Sequence, residues 1–223
     1  MDNELKKFLG EYFDKPEVID TKILSADITA VIPEVWAEIF KENDSKIERT
    51  INLFSKFRND LELTYEYLAE QLETIDLAYY FEEYHLVFGI RSLSGNQILY
   101  YQSKNPKNIE LTECFSQLPN DLKDFYTHFN GFNYLVSNSM GLLPIDEQEL
   151  LDEYDWEVLE EHDVDIDLNK FKSIFTNGAG GYICFNRIKG LEESLIWWAD
   201  ELPTMNIDLW ATVDTWITIG FED

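Results

Sequence analysis

The 223-residue chain is long enough for one large or two small domains, and its 45% hydrophobic and 15% aromatic content can fill a core. Seventeen basic against 44 acidic residues give a formal charge of −27, a field that repels nucleic acid and anionic membrane and attracts basic partners. No run of ~18 apolar residues is present, which excludes a membrane-spanning helix, and two cysteines, Cys114 and Cys184, are too few to staple a chain this long. Met1-Asp2-Asn3-Glu4-Leu5 has no basic segment leading an apolar core, so it does not read as a secretory signal. The expected setting is a reducing cytoplasm with two ordinary thiols.

In chain order, the first third reads as helical. Pro33 starts a short helix with Val35, Trp36, Ile39 and Phe40 on one side. Ser45, three before Glu48, is a capping box. Apolar residues then recur in steps of three and four at Ile47, Ile51, Phe54, Phe57, Leu61, Tyr65, Leu68, Leu72 and Ile75. That spacing predicts one long amphipathic helix, or two in line, packed in a core or forming a partner seam. Residues 85–91 and 97–102 are β-branched and aromatic, and Ser94-Gly95-Asn96 between them is turn chemistry, so a β-hairpin is expected. Polar residues 103–108 break both periodicities, which predicts a boundary between a 1–110 region and a 111–223 domain.

Leu118, Leu122, Phe125, Tyr126 and Phe129 form one apolar helical stripe, opened by Pro119 and closed by Asn130-Gly131. Met140 to Pro144 is a short extended piece. Between Asp146 and Asp167 there are twelve acidic residues and no Lys or Arg. Leu150, Leu151, Tyr154, Trp156, Val158 and Leu159 are interleaved there, which predicts an acidic helix with a buried stripe. Residues 171–175, 182–186 and 195–199 read as strands, the second started by the glycine-rich run 177–181 and the third following a Lys189-Gly190 turn. Leu209, Val213, Trp216 and Ile217 give a closing helix.

Catalytic signatures fail one by one. There is no Gly-x-Ser-x-Gly elbow and no phosphate loop ending Gly-Lys-Ser/Thr. Gly178-Ala179-Gly180-Gly181 begins like a dinucleotide fingerprint, but the sixth position is Ile183, and a tight turn into a strand is the better reading. Asp163-x-Asp165-x-Asp167 resembles the start of a calcium loop, yet Leu168 replaces the needed glycine and Ile174 the needed glutamate. His85, His128 and His162 have no metal-ligand spacing with one another or with the cysteines. No enzyme, cofactor or metal site is expected.

The block Leu118-Pro119-Asn120-Asp121-Leu122-Lys123-Asp124-Phe125-Tyr126, closing at Asn130-Gly131-Phe132, resembles the opening signature of the SUKH superfamily. Gly141 to Pro144, the turn and strand over 174–185, the strand at 195–198 and the helix at 209–217 follow in the family's order, covering about residues 111–223. Gly180-Gly181 stands where many members place an Asp after glycine, and residues 1–110 match nothing in the family. The resemblance implies an α+β fold, with a mostly antiparallel central sheet and surrounding helices, preceded here by the helical region and hairpin. It also implies binding rather than catalysis, as in bacterial immunity proteins that neutralise partner toxins.

Charge then places the partner. Residues 1–110 carry 12 basic and 21 acidic side chains, and residues 111–223 carry five and 23. A nuclease-type toxin has a basic groove for phosphates, which an acidic inhibitor can cover. The expected partner-binding residues are Asp146, Glu147, Glu149, Asp152, Glu153, Asp155, Glu157, Glu160 and Glu161, with Trp156 as an aromatic anchor. The alternative is a regulatory or scaffold module, like the superfamily's fungal cell-wall regulator, whose 45–75 helix supplies the interface at Phe54 and Leu61.

Overall fold

A computed structural model describes residues 2–41, 45–154, 156, 158–162 and 165–222. The first helices are α1 (Asp2–Tyr12), α2 (Ala26–Val31), α3 (Glu34–Ile39), α4 (Lys46–Phe54) and α5 (Glu62–Gln71). Strands β1 (Glu17–Val18), β2 (Leu72–Tyr80), β3 (Glu83–Arg91) and β4 (Ile98–Lys104) complete the N-terminal region. Helices α6 (Glu113–Ser116) and α7 (Asn120–His128) lead into β5 (Asn130–Tyr134) and β6 (Ser139–Leu142). After α8 (Val158–Glu161) come β7 (Phe171–Thr176), β8 (Gly181–Asn186), β9 (Gly190–Trp198), β10 (Thr204–Met205) and α9 (Leu209–Ile219).

Among the described residues, the ten strands form one sheet in sequence order, every neighbouring pair antiparallel. The fold is α+β. Hydrogen bonding does not stop near residue 110: β4 pairs with β5, Tyr101 opposite Tyr134 and Gln102 opposite Asn133. No described helix is long and apolar enough to cross a membrane.

Strand alternation sends successive side chains to opposite faces. Ile75, Leu77, Leu86, Phe88, Ile90, Leu99 and Tyr101 enter the main core with Phe54, Phe57, Leu61, Leu122, Phe125, Phe129, Val213 and Ile217. The opposite face has two separate covers. At one end Leu5 and Leu9 of α1 pack on Ala78, Tyr80 and Val87. At the other, Leu151, Trp156 and Val158 pack on Phe171, Cys184, Leu195 and Trp197.

Several sequence expectations change. The 45–75 run divides: α4 gives way to a 3₁₀ turn at Ser55–Phe57, α5 follows, and from Leu72 the chain is a strand. Leu72 and Ile75 continue the helical count by coincidence, while Thr74 to Tyr80 follow a strand's alternation. Ser45 occupies the N-cap of α4 but makes no side-chain capping bond. In the acidic stretch no single helix forms; 3₁₀ turns at Ile145–Glu147 and Leu151–Glu153 precede the four residues of α8.

The stripe of α7 is buried as its spacing requires, with Leu118, Leu122, Phe125, Tyr126 and Phe129 between 0 and 4% exposed. Gly131, however, does not end that helix. The helix stops at His128, and Gly131 lies inside β5 at φ +85°. A Cβ there would meet Pro144 N at 2.7 Å and Leu142 O at 2.9 Å, so glycine is required by the approach of the next strand.

The N-terminal region and the remainder are also joined through a helix end. Nothing on the N-cap residue of α5, Leu61, can cap it. Asp214 of α9, 6% exposed, accepts from Leu63 N through Oδ2 and from Thr64 N through Oδ1, both at 2.8 Å. These charge-assisted bonds satisfy two donors that a helix leaves unpaired. Asp214→Ala is expected to lower unfolding free energy by about 2–4 kcal/mol, measured by urea denaturation, with Asp214→Asn intermediate.

Candidate functional site: an acidic cleft between the two covers of the sheet

The residues predicted to bind a partner are distributed by the family-like helix. Asn130 is buried and its Oδ1 accepts from Ile145 N at 2.9 Å. Tyr126 donates to Leu143 O at 2.8 Å, and Gln148 Nε2 donates to Tyr126 Oη at 2.7 Å. The turn at Ile145–Glu147 is therefore held from both sides, and its two carboxylates project from a fixed base.

Further along, Ser173 N donates to Glu149 O at 2.8 Å, and Leu150 bridges Lys172 on β7. Trp156 stacks on Trp197 at 4.3 Å, and its Nε1 donates to Leu151 O at 2.7 Å. At 6% exposure Trp156 fastens this segment to the sheet; it is not a free aromatic anchor for a partner. Glu149, Asp152 and Glu153 are exposed around it. Glu160 and Glu161 lie on α8, whereas Asp155 and Glu157 fall outside the described residues, as does Asp163 of the calcium-like run. Phe54 and Leu61, the alternative interface, are fully buried in the chain's own core.

Asp146 and Glu147 instead meet residues of the N-terminal region. They line a cleft of 570 Å³ with Phe13, Tyr80, Phe81, Glu83, His85, Gln102, Lys104 and Asn138. Lys104 Nζ lies 2.9 Å from Asp146 Oδ2 and also contacts Glu147, which accepts from Asn138 Nδ2. Burial works against the Lys104 charge, but the bonds to Glu147 and Asp146 outweigh it and raise the pKa. Glu83 is pushed above the usual carboxylate range, first by burial and then by Asp146 and Glu147, although Lys104 opposes the shift. Two carboxylates thus pair with one ammonium, and a third lies within its field.

Aromatic rings form the cleft's floor. Phe13 stacks on Tyr80 at 4.3 Å, and Tyr80 stacks on His85 at 3.9 Å. The Tyr80 hydroxyl donates to Gln102 Oε1 at 2.5 Å. His85 is 2% exposed, with Nδ1 3.2 Å from Glu83 O. Burial lowers its pKa from 6.5 to about 3, so the imidazole is neutral at ordinary pH and donates through Nδ1.

At the rim, Phe81 and Glu82 connect β2 to β3 with φ of +51° and +62°. Two consecutive left-handed residues are the pattern of a type I′ turn, where Asn-Gly is favoured. A phenylalanine and a glutamate there cost about 1–2 kcal/mol each. Phe81 is nevertheless 77% exposed, touching Phe13 edge-on at 5.1 Å. Sequence reading did not reach this part of the site, because Phe81-Glu82 carries no turn signal and β2 hid inside a helical count. The usable clue was the alternation of Ala78 and Tyr80, and of His85 and Val87, which puts these residues on one face.

The profile of the SMI1/KNR4 family (SUKH-1) matches residues 107–219. Comparison with curated proteins and with solved structures gives no match.

Two outcomes are expected. Replacing Phe81-Glu82 by Asn-Gly should raise unfolding free energy by about 1–3 kcal/mol in urea melts. Above pH 6.5 both folded and unfolded chains hold His85 neutral; below it the unfolded chain binds a proton that the folded chain refuses until about pH 3. Stability is therefore lost as pH falls through that window, at up to about 1.4 kcal/mol per unit. His85→Phe keeps a ring against Tyr80 and removes this loss. The stability of the native protein minus that of the variant should fall between pH 6.5 and 4, the shared carboxylates largely cancelling.

Proposed function

The chain belongs to the SMI1/KNR4 family (SUKH-1), and from that membership we propose that it is a toxin-immunity protein that covers the basic active-site groove of a nuclease-type toxin. The family is generally non-enzymatic and consistent with immunity-type or SMI1/KNR4-like interaction modules. The finer reading is carried by one observation: carboxylates gathered on a fixed backbone. The turn of Asp146 and Glu147 is bonded to Asn130 and Tyr126, and the segment of Glu149, Asp152 and Glu153 is fastened by Trp156.

A nuclease groove is cationic because it must hold phosphates. An acidic face steers toward it over distances set by ionic strength, then excludes substrate by occupancy. Rigid support limits the side-chain ordering that binding requires. Basic residues near the segment are few, Lys170 being paired with Asp167 at 3.0 Å.

The test is the association rate with the toxin domain encoded by the adjoining reading frame, by stopped flow at low and high salt. The rate should fall roughly tenfold or more with added salt. Asp152→Lys combined with Glu153→Lys should slow it further at low salt while leaving the thermal midpoint near that of the native chain. A salt-independent rate removes the steering argument, and absence of binding at any salt removes the pairing.

A further inference from the structure

General acidity does not account for the cleft. His85 and Gln102, 2% and 7% exposed, both line it. Each has one nitrogen already committed or one oxygen already used: His85 Nδ1 faces Glu83 O, and Gln102 Oε1 accepts from Tyr80. Among the described residues, His85 Nε2 and Gln102 Nε2 make no hydrogen bond, and neither is sealed from solvent. Asn138 Oδ1, in the same lining, is buried without a hydrogen-bond partner; buried polar atoms are normally satisfied, so this acceptor and the open His85 nitrogen together mark a place for a ligand.

The character of the ligand follows from the lining. Glu83, Asp146 and Glu147 face Lys104, leaving two uncompensated negative charges. A divalent metal fits poorly, because the Lys104 ammonium already stands between the carboxylates. An anion would meet the excess negative charge. A planar cation with several donors suits the acceptors: the carboxylates and the lone pair of a neutral imidazole. The exposed ring of Phe81 at the mouth offers a face for such a plane. Asn138 Oδ1 adds a further acceptor to the same lining.

We infer that the cleft lined by Glu83, His85, Gln102, Glu147 and Phe81 receives an arginine side chain of a basic protein partner. The inference rests on the proposed binding of a basic partner and names the group that enters. It goes beyond the acidic segment, because four of these five residues lie in the N-terminal region. The left-handed turn at Phe81 holds an apolar ring in water beside buried polar atoms, an arrangement suited to covering a guanidinium.

The full chain is titrated with N-acetyl-arginine amide while the His85 ring and Gln102 side-chain amide signals are followed by NMR. N-acetyl-lysine amide is the control. Saturable shifts are expected with the arginine compound, about fivefold weaker with the lysine compound. Glu83→Gln, Glu147→Gln and Phe81→Ala should each weaken them severalfold; Phe81 is exposed, so its variant reports on folded protein. Linear shifts, equal response to lysine, or indifference to all three substitutions would overturn the inference. The toxin measurement is run on the same variants. Toxin binding with a silent titration defeats the arginine site and leaves the immunity reading standing. A saturable titration without toxin binding defeats that reading and keeps the site.

Discussion

The bond between Asp214 and the first turn of α5 is the constraint on which the two halves of this protein depend. A helix that begins at Leu61 has no cap of its own, and the missing acceptor arrives from α9, 150 residues later. The cost of leaving those N–H groups buried and unpaired ties the closing helix to one place over the sheet. Other contacts repeat the pattern. Trp36 Nε1 donates to His128 O at 3.0 Å, Tyr67 stacks on Phe221, and Leu93 N donates to Phe221 O. The N-terminal strands can therefore extend the sheet as one surface, and the cleft exists only because they do.

The sequence block that identifies the family turns out to act at a distance from its own helix. Tyr126 and Asn130 bury their polar atoms, and those atoms reach Leu143 and Ile145, where the acidic turn begins. Gly131 lets that turn pass within contact of β5. A motif whose apolar stripe is simply core thus sets the position of Asp146 and Glu147. Their counter-ion, Lys104, comes from outside the matched residues, on β4. The matched residues supply the scaffold of the site and the carboxylates of Asp146 and Glu147, and the N-terminal region adds Lys104, Glu83 and His85.

What could be read in advance follows the same division. The stripe of α7, the β3–β4 hairpin, the strands after residue 171 and the closing helix obey strong periodicities, and each appears where those periodicities put it. Leu72 and Ile75 misled because a helical count and a strand count share residues over short spans. The acidic segment misled because interleaved apolar residues suit a helix, whereas Trp156 finds Trp197 through a chain of short turns. The turn at Phe81-Glu82 was illegible for a different reason. Local preference is violated there, and only tertiary packing against Phe13 shows why the ring stands in that position.

Charge arrangement separates support from function. A net charge of −27 opposes compaction, and the fold limits the penalty by leaving Glu149, Asp152 and Glu153 in solvent, where repulsion is screened. The cleft does the opposite. It draws Glu83 into partial burial beside Asp146 and Glu147, and the raised pKa of Glu83 records the conflict. Conflict of this kind is relieved by whichever cation enters, so an arriving positive charge gains more there than on the open surface, where each carboxylate is already solvated. On the proposed function, the exposed segment is the part that would attract a basic partner from a distance. On the proposed binding of a basic partner, the cleft is suited to discriminating among cations once they arrive, because its burial, stacked rings and the lone pair of the neutral His85 imidazole reward one shape of cation over another.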